Sequence, residues 1–297
     1  MNIGLIDADS HNFPNLALMK ISAYHKNKGD AVEWWDGFSH YDRLYISKVF
    51  SDDYSPCVLE PCNADEIIKG GTGIDLKNKL SHEVEHQCPD FSLYPELTCD
   101  TAYGFLTRGC PNACKFCIVS QKEGRVSRKV ADLSEFWGEK KYIKLLDPNL
   151  IACRDHERLL EQLALSKAWV DFTQGLDIRL ISPDDIALLN KIKTKMLHFA
   201  WDDPKADLTP FFQRFAKLSD IKDHRKLGVY VLTNFNSTHE EDLFRVYTLR
   251  TLGFDPYVMI YNKNSAPRET RLLQRWCNNK IIFNSQPDFR RYNPKIG

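Results

Sequence analysis

Three cysteines, Cys110, Cys114 and Cys117, stand within eight positions of this 297-residue chain, in the stretch RGCPNACKFC at 108–117. The other six cysteines, at 57, 62, 88, 99, 153 and 277, form no second C-x2-C pair. Thiolates are soft ligands suited to zinc and to iron–sulfur clusters. A closed zinc cage takes four ligands. Three thiolates from one loop hold three irons of a [4Fe–4S] cube and leave the fourth iron without a protein ligand. An open metal position can take a substrate, as it does at catalytic zinc. Pro111 and Asn112 suit a loop that must turn tightly around the cube. The alternative use of the same thiols is a zinc knuckle completed by a His or Cys from elsewhere, although zinc loops favour two paired spacings.

The elements around the motif say where such a loop would sit. Strand-like runs recur at 101–107, 142–147, 170–174, 195–201, 227–234 and 256–262. Helical patterns at 155–169, 182–193 and 237–253 separate several of them; the second opens on Ser-Pro-Asp-Asp and the third stops at Gly253. Six strands alternating with helices imply parallel βαβ units. Six is fewer than the eight of a closed TIM barrel, so an open or partial barrel is expected; an open doubly wound sheet is the alternative, and periodicity does not separate the two. In either architecture the cysteines follow the first strand at its C-terminal end, where such enzymes place their active sites.

The motif resembles that of the radical S-adenosylmethionine (SAM) superfamily, C-x3-C-x-aromatic-C after the first barrel strand. Cys110, Cys114, Phe116 and Cys117 match it, and RGCPNACKFC looks like the branch with an N-terminal cobalamin-binding domain. The resemblance implies a partial (β/α)6 barrel, taken here as 100–297 with a C-terminal tail, and an enzyme using a [4Fe–4S] cluster and SAM. The unique iron would chelate the methionyl amine and carboxylate, and the 5′-deoxyadenosyl radical would abstract a hydrogen from a substrate. It further implies a one-electron reductant such as flavodoxin or ferredoxin. Polar residues at later strand ends are carried over as cofactor-binding: Asp147 and Asn149 for the methionyl ammonium, Gln174 and Arg179 (with Asp177) after the third strand, Asp202 (with Asp203) for the ribose, and Asn234 near the adenine. Each of these equally suits a helix cap or a loop turn, and Asp184 and Asp185 are read as caps. The superfamily's Gly-Gly-Glu is absent. A non-catalytic zinc-containing module or scaffold on the same fold is the rival function.

Residues 1–99 read as a small Rossmann-like domain, a reduced relative of the cobalamin-binding one, with strands at 2–7, 31–35 and 43–50 and a helix at 15–29. Asp9-Ser-His11-x-x-Pro14 approximates D-x-H-x-x-G, and KGGTG at 69–73 resembles the same domain's paired glycines. Pro stands where the last Gly belongs and the strand series is incomplete, so cobalamin is not expected and His11 is read as a helix-entry residue. The six other cysteines are read mostly as small buried residues, with Cys57, Cys62, Cys88 and Cys99 as a possible auxiliary metal set. The tail SQPDFRRYN at 285–293 reads as surface.

Lys+Arg and Asp+Glu number 40 each, so the net charge is zero and nothing points to a nucleic-acid module. No apolar run is long enough for a membrane span, and MNIGLIDADSHNFPN lacks a basic leader, so neither membrane association nor secretion is expected. An odd cysteine count in such a chain suits reduced thiols and a cytoplasmic protein.

Overall fold

The structure is a computed structural model that describes residues 1–55 and 61–295; Cys57 lies outside the described residues. Two parallel sheets follow one another along the chain. The first contains β1 (Asn2–Asp7), β2 (Ala31–Trp34), β3 (Tyr41–Ser47) and β4 (Ala64–Gly70) in the order β2-β1-β3-β4. Helix α1 (Leu16–Asn27) links β1 to β2 and buries Leu18 and Ile21 against Ile3 and Leu5. Its cap is Asn15, whose side chain accepts from the Leu18 amide at 3.3 Å; His11 is exposed four residues upstream and does not serve as the entry residue. β4 is additional to the strands read at 2–7, 31–35 and 43–50. It is an edge strand with half-exposed positions, so it carries Asp65, Glu66 and Lys69 in place of an apolar run.

Two short helices, α2 (His82–Glu85) and α3 (Pro95–Thr98), lead to β5 (Thr101–Gly104). Two-residue strands β6 (Thr107–Arg108) and β7 (Arg128–Lys129) then pair antiparallel and bracket the cysteine loop and α4 (Val119–Lys122). Beyond them come β8 (Tyr142–Leu145), α5 (His156–Ser166), β9 (Trp169–Leu176), α6 (Pro183–Lys191), β10 (Lys193–Ala200), α7 (Thr209–Leu218), β11 (Leu227–Thr233), α8 (His239–Thr251), β12 (Asp255–Ile260), α9 (Arg268–Asn278) and α10 (Lys280–Ser285). All six strand-like runs of the sequence are present, and α7, α9 and α10 are additional to the helices read there.

The second sheet runs β5-β8-β9-β10-β11-β12, parallel throughout. This order never reverses, unlike a doubly wound sheet with its switch point. Helices α5, α6, α7, α8 and α9 pack on one face of the sheet. There Val170, Leu197, Phe199, Val229 and Val258 meet Leu160, Leu189, Phe212, Leu249 and Leu273. Phe199 packs edge-on to Phe212, Phe215 and Phe254 at 5.1–6.0 Å between ring centroids. Gly104 ends β5 because a Cβ there would lie 2.3 Å from the Phe136 ring. The tail lies on this helix layer, with Trp276 Nε1 donating to the Gln286 carbonyl at 2.8 Å and Phe289 packed on Trp276.

Candidate metal centre and cofactor site

The cysteine loop is anchored from the next strand. After Gly104 the chain turns, and Asp147 at the end of β8 accepts from the amides of Leu106 (3.1 Å) and Thr107 and from the Thr107 hydroxyl (2.7 Å). Asp147 is buried, which pushes its carboxyl up to about 6 against the pull of these donors. It is read in the sequence as a partner of the SAM ammonium; in the structure both its oxygens are engaged in holding the loop. Gly109 closes the bracket at φ +92°, where a Cβ would lie 2.2 Å from the Val126 carbonyl. The Cys110 amide donates to the Gly124 carbonyl at 3.2 Å, and that of Cys117 to the Cys114 carbonyl at 3.0 Å.

All three thiols are free and half-buried. Burial pushes the Cys114 thiol up, and Asp202 and the neighbouring Cys117 and Cys110 push it further. Among the described residues, the ligand atoms of His156, Glu157 and Asp185 lie within 4.8 Å of one another, but both ring nitrogens of His156 are engaged, by the Cys153 carbonyl and by Asp185. Asp185 also completes the capping box of α6 with Ser182, as read from the sequence.

Four strand ends converge on the loop. Asn149, 2% exposed, donates from Nδ2 to Cys110 Sγ at 3.7 Å, and its Oδ1 is buried with no partner. Beyond β9, Asp177 receives Arg179 in a two-pronged contact (2.8 and 2.6 Å) and Asn112 of the cysteine loop at 2.9 Å. Burial opposes the Asp177 charge, yet Arg179 and Asn112 hold its carboxyl below the ordinary range. Arg179 is raised by Asp177 and by the nearby Cys114 and Cys110 thiolates. Asp202, beyond β10, is pushed by burial up to about 6, against the Leu232 backbone and Arg245. Phe116 meets Phe235 beyond β11 edge-on at 5.5 Å, and Phe235 meets Tyr261 at 4.9 Å.

Three further sequence-derived residues are Asn234, Gln174 and Asp203. Asn234, at φ +60°, gives its amide to the Tyr261 carbonyl at 2.8 Å and joins the ends of β11 and β12. Gln174 is exposed. Asp203 caps its own turn through the Lys205 amide at 3.0 Å. Cys62, Cys88 and Cys99 are exposed, against their reading as small buried residues, and Cys153 and Cys277 are buried in agreement with it.

The sequence reading missed a row of side chains on the sheet face away from the helices. Tyr103, Lys144 and Asp171 are register partners on β5, β8 and β9. His198 follows on β10, stacked on Tyr230 of β11 at 5.1 Å, and Tyr257 of β12 ends the row. Asp171 is 8% exposed and burial raises its carboxyl, with His198 and Lys144 opposing; Oδ1 lies 3.8 Å from His198 Nδ1. Gly228 has no side chain because His198 occupies that space, 2.8 Å from where a Cβ would stand. Strict alternation along each strand would have assigned these residues to one face.

No helix is long and apolar enough to cross a membrane among the described residues. No family model matches the sequence, and no curated protein matches it. Among solved structures the chain is similar to TsrM, a radical S-adenosylmethionine methyltransferase from Kitasatospora setae. Against the form with cobalamin and a [4Fe–4S] cluster bound, identity is 11% and the TM-score 0.44, over 86% of this chain and 66% of that one. Against the form with tryptophan substrate and the SAM analogue aza-SAM, identity is 12% and the TM-score 0.47, over 95% and 71%. The resemblance of this chain to the radical SAM superfamily is carried by its own cysteine loop and the strand ends gathered around it.

Proposed function

We propose that the chain is a radical SAM enzyme on a partial (β/α)6 barrel, with Cys110, Cys114 and Cys117 holding a [4Fe–4S] cluster and the fourth iron open to SAM. The observation that carries this reading is the set around the thiols: three free cysteines on one loop at a strand C-terminus, with a buried unpartnered amide oxygen, Asn149 Oδ1, beside Cys110. The donor set suits such a cluster, since it is three thiolates from one loop. When bound, the cluster supplies the one electron, taken from an external reductant, that cleaves the sulfonium to methionine and the 5′-deoxyadenosyl radical, which then takes a hydrogen atom from the substrate.

The chain's own residues supply position and charge. Asn149 Oδ1 is an acceptor for the methionyl ammonium, a role the sequence reading gave to Asp147 and Asn149 together. Arg179 adds positive charge beside the thiolates and suits the methionyl carboxylate. Asp202 is an acceptor for the ribose, and Phe116 with Phe235 forms an aromatic border for the adenine side. The row from Tyr103 to Tyr257 offers the substrate a wall with Asp171 and His198 at its middle. Without a D-x-H-x-x-G match, cobalamin has no lower ligand in this reading.

Anaerobic reconstitution tests the proposal. The expected result is a brown protein with about four irons per chain, lost in Cys110→Ala, Cys114→Ala or Cys117→Ala, that releases 5′-deoxyadenosine from SAM under strong reductant. A colourless protein that retains zinc in its place overturns it.

A further inference from the structure

A cavity of about 490 Å³ lies between the first sheet and the bracket of the cysteine loop. It exists because α1 covers the β1 side of the sheet, while the face over β3 and β4 is roofed at a distance by residues 78–85 and by the β6–β7 pair. Its volume is that of a small-molecule site, about 300–1,000 Å³. One part of its wall is apolar and aromatic, with Ile21, Leu80, Val84, Tyr24 and Tyr45.

The rest of the wall is cationic. Lys20, Arg108 and Lys122 line it half-buried, and Lys79 and Arg128 reach it from exposed positions, against the carboxylates of Glu85 and Glu123. Those two carboxylates are shared. Glu85 takes Lys20 at 2.9 Å and Arg108 at 3.4 Å, and Glu123 takes Arg108 at 2.9 Å and the Gly109 amide at 3.1 Å. Arg108 Nε stays buried without a partner. Lys122 gives its ammonium to the Thr72 hydroxyl and makes no ion pair among the described residues, although burial pulls it below the ordinary lysine range. Two glycines of the KGGTG turn, Gly70 and Gly71, border the same space, and a Cβ at Gly70 would meet no atom within 4 Å. The half-buried Arg108 and Lys122, with Lys79 exposed at the rim, stand beside an apolar wall, a setting that selects an anion carrying a hydrophobic body. SAM is excluded, since its sulfonium adds positive charge to a cavity already rich in it.

We infer that this cavity is a second ligand site, for a phosphate-bearing aromatic molecule of mononucleotide size whose phosphates meet Arg108, Lys122 and Lys79 while its ring lies on the apolar wall. The site stands on its own residues and does not depend on iron. It also adjoins the cysteine loop, because Arg108 and Glu123 flank that loop and Glu123 holds the Gly109 amide.

Calorimetric titration of the full chain with ADP, adenosine and pyrophosphate tests the site, with or without reconstituted iron. The expected result is saturable ADP binding well below about 1 mM, with adenosine and pyrophosphate each at least about tenfold weaker because each offers half of the ligand. Lys79→Glu combined with Lys122→Glu should weaken ADP by about tenfold or more. Gly70→Leu should fill the cavity and abolish binding while the melting temperature is kept. Failure of ADP to bind, adenosine binding as tightly as ADP, or unchanged affinity in both variants overturns the inference. So does retention of hydroxocobalamin that Gly70→Leu blocks, which would assign the cavity to a corrin. Reconstitution with iron and 5′-deoxyadenosine release are read separately, so loss of either reading leaves the other measurable.

Discussion

Asn149 Nδ2 donates to Cys110 Sγ at 3.7 Å while Asn149 Oδ1 stays buried and unpartnered. A buried amide oxygen without a donor costs about 1–3 kcal/mol, and here it stands beside the thiol that would carry iron. In the proposed reading a ligand ammonium fills that vacancy. Asn149→Ala should therefore weaken SAM binding to the reconstituted protein by about tenfold to a hundredfold, the scale of one charge-assisted hydrogen bond. Iron content should be retained. Equilibrium binding of SAM reads the effect, and unchanged affinity would remove Asn149 from the site.

Asp147→Ala should act on the loop and not on the ligand. It strands the Leu106 and Thr107 amides, each at about 1–3 kcal/mol. The melting temperature should fall in the metal-free protein, and iron should be retained poorly. A variant with normal stability and selectively lost SAM binding would return Asp147 to the role first read for it.

Arg245 is 1% exposed in α8, where it pairs with Asp242 and donates to the carbonyls of Trp201 (2.6 Å) and Leu232 (3.0 Å). It ties the ends of β10 and β11, and so positions Asp202. Arg245→Met leaves Asp242 buried and unpaired, a loss of about 3–5 kcal/mol in urea unfolding. Arg245→Met with Asp242→Leu should recover much of that loss, because the unpaired charge is gone.

The Asp202 carboxyl gives a pH signature. Burial raises it from 3.8 to about 6 in the folded chain, so its contribution to stability is full below the unfolded value and is lost as pH rises through about 6. At about 1.4 kcal/mol per unit, Asp202→Asn should gain up to about 3 kcal/mol on the parent between pH 4 and pH 8. Denaturant titrations of the metal-free protein across that range measure it. A gap that does not widen with pH would show that Asp202 is not desolvated.

Much of this molecule was legible in local sequence. The cysteine loop needs only its own ten residues, because spacing within one turn decides how many thiols can face a single cluster. The six strands of the second sheet were also readable, since each is an apolar run buried against helices, and the capping box at Ser182 and Asp185 is complete within four residues. β4 escaped because an edge strand has no apolar run to show. What tertiary structure alone decided is which polar groups remain free. Asp147 and Asn149 are two residues apart and equally plausible as ligands in sequence; Asp147 finds its donors at Leu106 and Thr107, about forty positions away, and Asn149 Oδ1 finds none. Arg245 looks like a surface charge on a helix until two strand ends enclose it. The row from Tyr103 to Tyr257 and the cation-lined cavity are assembled from separate strands, helices and loops. Side-chain satisfaction depends on partners distant along the chain, and that is why burial and hydrogen bonding, not residue type, assigned the roles.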